Sequence, residues 1–357
     1  MKQIFLLIFL FAFSFCLGSV GYMAYFTYGS CSSEEGEVTF DVPPGSGFYS
    51  LIPKLKQLGF VCADRRLRYL SRATGYQNEV KIGEYLLSTR MSPMNILKTL
   101  SSGKSIQRSL TIAEGLNAFE VAEIFERANI TSSQNFISLC FNKSFIRRHL
   151  GSRVDSCEGY LFPDTYFVTK YMGYQEIMVN MFNRFNEAYA SLGAREILKG
   201  LGLNKEELIT LASIIEKETG AHEERAIVSS VYHNRLRKKM RLQADPTTLY
   251  GKMVGSGHIE ISITRSDLKA VNAYNTYAMR GLPRGPIANP GLESMRAALH
   301  PDLTEYLYFV SRNDGTHVFS ETYESHNRAV IKHQKDPRAR RGKSWRDLKK
   351  RHSTQVQ

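Results

Sequence analysis

With 357 residues and 43% hydrophobic content, the chain is long enough for about two domains with real cores, which excludes a disordered or low-complexity protein. The net charge of +13 points to nucleic acid only until it is located: ten Lys or Arg stand against Asp336 and Asp347 in residues 331–357, so +8 lies in this tail and +5 in everything before it. Such a tail is a solvated or loosely helical end first, and a segment for anionic lipid or an acidic partner second. The five cysteines, Cys16, Cys31, Cys62, Cys140 and Cys157, form no CxxC pair and no zinc spacing. Cys140 and Cys157 are able to pair outside the cytoplasm, but buried free thiols are the commoner state and are the expectation here.

Residues 4–26 carry no charge and are long enough, at ~1.5 Å per residue, to cross a bilayer core of ~30 Å. The run exceeds the apolar stretch of a cleaved signal, and Cys31 lies too far beyond it for a lipid-modified cysteine. Lys2 precedes the run and Glu34, Glu35 and Glu37 follow it, so the positive-inside rule places the N-terminus in the cytoplasm and the body outside. That location argues against a nucleic-acid partner.

Residues 37–105 read as a small α+β module: a strand at 38–42, the PPGSG turn, helices at 48–58 and 63–74, a strand at 83–87 and a helix at 92–100. A larger α+β domain follows over 106–330, ahead of the basic tail. Its early elements are a strand at 110–113, a helix at 118–128 and a less regular helical stretch to Arg153. The decapeptide EGYLFPDTYF, residues 158–167, then sets aromatic residues around a Pro163-Asp164 turn. Such a row either fills a core beneath a loop or offers a floor for sugar rings. A long helix at 175–191 precedes the central one, and a further helix at 224–239 follows it. Residues 240–251 and 273–291 read as two polar loops rich in Gly, Pro, Asn and Asp, a composition that carries function more often than stability. A helix at 294–299 and a hairpin of strands 306–311 and 316–319 close the domain.

The central helix is NKEELITLASIIEKETG, with Asn204 as N-cap, Glu207 completing a capping box and Gly220 beyond the end. A 100° step puts Leu208, Ala212 and Ile215 on its apolar face and turns Thr210 and Lys217 to water. Glu216 and Glu218 fall on opposite shoulders of that face. Periodicity does not rank them, and a Glu on a helix shoulder ordinarily keeps its head in solvent.

No HExxH, GxSxG, Walker loop or GxGxxG after a strand occurs, so the usual signatures of metal hydrolysis, serine acyl transfer and nucleotide chemistry are missing. A carboxyl acid/base with aromatic and amide-rich loops remains, which suits an enzyme acting on a sugar polymer. The ordered strings EGLN, EGYLFPDTY, LASIIEKET, VYHNRL, MRLQADPTTLYG, AYNTY, GLPRGPIANPG, LYFVSRNDGTHVF and SHN closely resemble the YceG-like (MltG) family of membrane-anchored endolytic murein transglycosylases. The resemblance spans roughly residues 4–331. It implies a LysM-like module at 37–105 and a catalytic domain beyond it. It also implies peptidoglycan glycan strands as substrate, cell-wall synthases as partners and no cofactor or metal.

By the same resemblance Glu218, the second acid of EKE, is the catalytic group; Glu216, on the opposite shoulder, is assigned a supporting role beside it. Gln243, Asp245, Asn275, Tyr277 and Asn327 are expected to line the glycan cleft. Two positions depart from the family pattern: Arg284 stands where GLPPGPI is usual, and Ser325 where a Glu often precedes the His-Asn pair. A muramidase using Glu218 and Asp245, and a non-catalytic membrane-anchored glycan-binding protein, are the competing readings.

Overall fold

The computed structural model describes residues 2–30, 36–61 and 63–336. Most of the basic tail and the thiols of Cys31 and Cys62 lie outside them. Helix α1 (Lys2–Tyr28) contains the apolar stretch Ile4–Tyr28, long enough to cross a membrane, and its lipid-length stretch is not buried against protein.

The chain divides into two compact units, residues 1–109 with 167–172, and residues 110–166 with 173–357. In the first, β1 (Glu37–Val42) precedes α2 (Phe48–Gln57) and α3 (Asp64–Thr74), then β2 (Gly83–Ser88) and α4 (Pro93–Ser102). Strands β1 and β2 are antiparallel, with Glu37 opposite Ser88 and Val42 opposite Gly83. Alternation along β1 sends Phe40 and Val42 inward onto Ile52, Leu55, Leu67, Tyr85 and Leu97, and this cluster is the unit's core. The segment 167–172 returns to this unit, which the sequence pattern did not signal. There Lys170 reaches Asp41 and Glu84, both at 3.2 Å, and the Tyr171 hydroxyl donates to Asp41.

The second unit continues from β3 (Arg108–Ile112) through α5 (Ala118–Arg127), α6 (Ser133–Cys140) and α7 (Lys143–Leu150) to β4 (Asp164–Val168), which pairs with β3. The PDTYF stretch is therefore strand as well as turn, and Tyr160, Leu161 and Phe162 are buried. Tyr160 and Phe162 thus fill a core, whereas Tyr166 is half-buried and Phe167 is exposed. Next come α8 (Tyr174–Ser191), α9 (Arg195–Leu201), α10 (Lys205–Glu218), α11 (Arg225–Arg237), α12 (Asp245–Ser256) and α13 (Leu292–Leu299). The antiparallel pair β5 (Tyr308–Ser311) and β6 (His317–Ser320) and the helix α14 (Tyr323–Val330) complete the unit.

Half of the expected loop at 240–251 is thus helix. Asp245 lies in the first turn, Pro246 suits a position whose N–H needs no partner, and Gly257 closes the far end at φ 77°.

Cys140 and Cys157 form a disulfide, against the expectation of free thiols. The Cys157 amide donates to the Cys140 carbonyl at 2.9 Å, so the backbone itself brings the two side chains together. The bridge closes 17 residues, for which loop entropy supplies about 3 kcal/mol. Replacing both cysteines by Ala is expected to lower urea-unfolding stability by about 2–4 kcal/mol. A loss under ~0.5 kcal/mol would show that the loop is already fixed without the bridge.

Candidate active site

Helix α10 is buried from Leu208 to Ile215 without a break, because α11, α12 and α13 pack around it. The one-sided apolar face expected from the sequence is therefore too narrow. Thr210 is buried, not turned to water, and its hydroxyl donates back to the Glu206 carbonyl at 2.8 Å. Asn204 and Glu207 make the capping box, and Lys217 is exposed as expected. A helix enclosed on all sides holds its C-terminal turn in a fixed position, and that turn carries both Glu216 and Glu218.

The two carboxylates have different surroundings. The Glu216 side chain is only 6% exposed and accepts from the Gly291 amide at 3.0 Å and from Arg225 at 3.3 Å. Arg225 also reaches Glu114 at 3.5 Å, while Lys217 donates to the Gly115 carbonyl at 3.0 Å. A side chain at Gly291 would collide with the Glu114 carboxylate, which explains a glycine there. Beside this knot, Asn289 accepts from the amides of Gly159 and Leu161, both at 2.9 Å, and donates to the Leu116 carbonyl at 2.8 Å. The buried Glu158 accepts from the Ala118 amide at 2.9 Å, and burial pushes its carboxyl up to about 8. EGLN, EGYLF and IANPG thus meet as a clamp on the end of α10.

Glu218 faces another set. It is half-buried, and Tyr232 of α11, itself fully buried, hydrogen-bonds to it. Burial lifts the Glu218 carboxyl to about 7; the Tyr232 bond opposes the rise, the like charge of Asp245 adds to it and Arg235 works against it. Asp245 is exposed and accepts from the Tyr277 hydroxyl at 2.6 Å. Arg235 lies one turn beyond Tyr232 and is pinned by the Leu307 and Leu242 carbonyls at 2.6 and 2.7 Å. Its guanidinium sits over the Tyr308 ring at 5.2 Å, and His326 stacks on the same ring at 5.2 Å. A carboxyl group that titrates near neutrality, with a hydroxyl fixing its orientation, is able both to give and to take a proton.

Of the residues predicted for the cleft, Asp245 and Tyr277 gather at Glu218. Gln243 is exposed in the same loop and adopts φ 51°, with its amide directed to the Thr276 carbonyl. Asn275, expected on the cleft lining, is instead 0% exposed. Its amide group donates to the carbonyls of Asp267, Leu268 and Ala270 and accepts from Thr248, so it clamps the loop from within. Asn327 is exposed on α14, and it is the neighbouring His326 that packs toward Arg235 through Tyr308. Sequence reasoning missed Tyr232 and Arg235 as site residues. Their signal was the i, i+3 spacing inside VYHNRL, which puts a hydroxyl and a cation on one helix face.

A cavity of about 1020 Å³ lies toward the N-terminal end of α10, lined by Asn204, Glu207, His233, Arg237 and Arg284 among others. Glu218 is not among its lining residues and stands at the opposite end of the helix. Arg284, the departure from the usual Pro, pairs with Asp155 at 3.2 Å.

Residues 40–332 match the YceG-like family. The chain belongs to that family. This YceG-like protein is 32% identical over 335 residues to an endolytic murein transglycosylase of Bacillus subtilis, covering 86% of this chain and 89% of the relative. It is 26% identical to an endolytic murein transglycosylase of Streptococcus pneumoniae strain D39, covering 83% of this chain but only 58% of that longer relative. A crystal structure of a YceG-like protein from Listeria monocytogenes has 29% sequence identity and a TM-score of 0.56, covering 83% of this chain and all of the other.

Proposed function

We propose that this YceG-like protein is a membrane-anchored endolytic murein transglycosylase that cuts MurNAc-GlcNAc bonds within nascent glycan strands and so ends their elongation. The observation that carries the chemistry is the single carboxyl group at Glu218, raised to about 7 and hydrogen-bonded by a buried tyrosine. The protonated carboxyl gives its proton to the glycosidic oxygen as the bond to MurNAc C1 breaks. The resulting carboxylate takes the proton of the MurNAc C6 hydroxyl as that oxygen bonds to C1, leaving a 1,6-anhydro end with no water consumed. One group does both steps, which makes the enzyme a lyase.

Asp245 adds negative charge beside Glu218, and Tyr277 holds it in place; both belong to the glycan-facing side, with Gln243. Glu216 supports the helix end from the opposite shoulder.

Helix α1 is the anchor, with the N-terminus in the cytoplasm and both units outside. The Cys140–Cys157 disulfide supports an oxidising, extracytoplasmic location. An anchor in the inner membrane keeps the site within reach of newly made strands, and raises their effective concentration. The β1–α2–α3–β2 unit serves as the LysM-like module, and synthases that make the strand are the partner class this placement suits.

The deciding experiment is mass analysis of products from purified murein. Anhydro ends, one water lighter and resistant to borohydride, are the expected result. Reducible ends alone would replace this reading with a muramidase in which Asp245 activates water. The pH profile of kcat/KM supplies a second check. The first step needs the protonated acid, so activity is expected to fall as pH rises through about 7. Tyr232→Phe removes the bond that favours the ionised form, so this limb moves to higher pH while the rate falls ~10-fold or more. A limb that stays in place, or moves to lower pH, would remove Tyr232 from contact with the acid.

A further inference from the structure

The end of α1 is docked on the first unit. Phe26 is 5% exposed and belongs to that unit's core, and Arg66 of α3 lies over the rings of Tyr22 and Phe26 at 4.2 and 5.6 Å. Tyr22, Tyr25 and Tyr28, all exposed, line one side of this end of the apolar helix, the position where tyrosine anchors a span at the lipid–water boundary. Helix α3 is therefore held at the level of the lipid headgroups.

The sequence of α3, DRRLRYLSRAT, sets four arginines against one aspartate, and Asp64 is paired with Lys56 at 3.3 Å. Leu67 and Leu70 turn into the core. At 100° per residue, Arg65, Tyr69 and Arg72 fall within about 60° of one another on the other side. All three are exposed, Tyr69 by 66%. Arg68, also exposed, flanks them and covers the Tyr49 ring at 5.3 Å. A row of guanidinium groups around an amphipathic ring matches a phosphate-bearing surface, because the planar fork binds phosphate oxygens in pairs.

We propose that the Arg65, Tyr69 and Arg72 face of α3 docks on the headgroups of anionic phospholipid around the anchor. The inference rests on α1 being a membrane anchor. A lone helix fixes depth but leaves its load free to tilt and rotate; a second, charged contact fixes the orientation of the first unit on the bilayer.

The test uses the full chain carrying Tyr69→Trp and Trp345→Phe, so that the only indole reports from α3, in vesicles of phosphatidylcholine with or without phosphatidylglycerol. Brominated lipid is expected to quench that indole strongly in the anionic vesicles and weakly in the neutral ones. Salt at about 1 M should release it, since the screening length then shrinks to ~3 Å. Each Arg→Gln change at 65, 68 or 72 should lower the docked-to-undocked ratio ~5-fold. An indole equally open to acrylamide in both lipids and indifferent to the arginines overturns the proposal. So does protection that appears only when murein fragments are added, which would make this face a glycan site. Flotation separates the two readings: a chain that floats with vesicles but is not quenched loses only the lipid contact, whereas one that does not float loses the anchor as well.

Discussion

Glu218→Gln is expected to lower strand cleavage by roughly 10²- to 10⁴-fold, the range for removing a positioned general acid–base. The amide keeps the side-chain volume, and its oxygen still accepts the Tyr232 hydrogen bond, so geometry is preserved while the transferable proton is lost. Stability distinguishes this outcome from simple unfolding. Glu218 has a folded value of about 7, above the ordinary carboxyl value of 4.5. Its contribution is thus fully present below the unfolded value and is lost as pH rises through 7, where the ionised form is held in a site that disfavours it. The glutamine variant escapes that loss, and its Tm at pH 8 should equal or exceed that of the parent. A variant that is equally stable yet cleaves at the parent rate would exclude Glu218 from the chemistry. Glu216→Gln, measured beside it, is expected to show the smaller catalytic effect, because Glu216 faces Gly291 and Arg225 rather than the open side.

Local signals in the sequence located most elements of the fold. The cap at Asn204, the glycine stops and the strand alternation in 37–42 depend on a few neighbouring residues, and they placed α10, α3 and β1 within a residue or two of where they lie. What escaped was set by distant parts of the chain. Thr210 looked solvent-facing because its own helix gives no account of the other helices, α11, α12 and α13, that pack around it. The PDTYF segment pairs with β3, a partner about 55 residues away that no local pattern announces. Motif position singled out Glu218, Asp245, Asn275 and Tyr277 alike, but it did not separate residues that stand beside Glu218 from residues that hold the loop. Asn275 lies two residues from Tyr277, yet it is consumed by its own loop. Side-chain direction makes that difference, and direction is fixed by packing.

The clamp at the end of α10 gives the largest expected stability effect. The Arg225 and Glu216 side chains are each 6% exposed and lie against the Gly291 amide, while Glu114, the second partner of Arg225, is exposed. Arg225→Met leaves Glu216 desolvated, with the Gly291 amide as its remaining partner. Breaking a buried pair from one side costs about 3–5 kcal/mol, mostly because of the charge left behind. Urea unfolding of Arg225→Met should show that loss. The double variant Arg225→Met, Glu216→Gln should recover part of it, since neutralising both partners removes the stranded charge. Exposed pairs such as Arg328–Glu324 give the control, with expected changes under ~1 kcal/mol. The same substitution has a catalytic consequence by position alone. Glu216 and Glu218 occupy the last turn of one helix, so releasing the first lets the second drift from the Tyr232 hydroxyl, and a displacement of ~1 Å is enough to cost ~100-fold in rate. Cleavage should therefore fall in Arg225→Met even at temperatures where the fold is intact, and recover in step with stability in the double variant. Full activity in a folded Arg225→Met protein would show that Glu218 is held by Tyr232 and the walls of α10 alone.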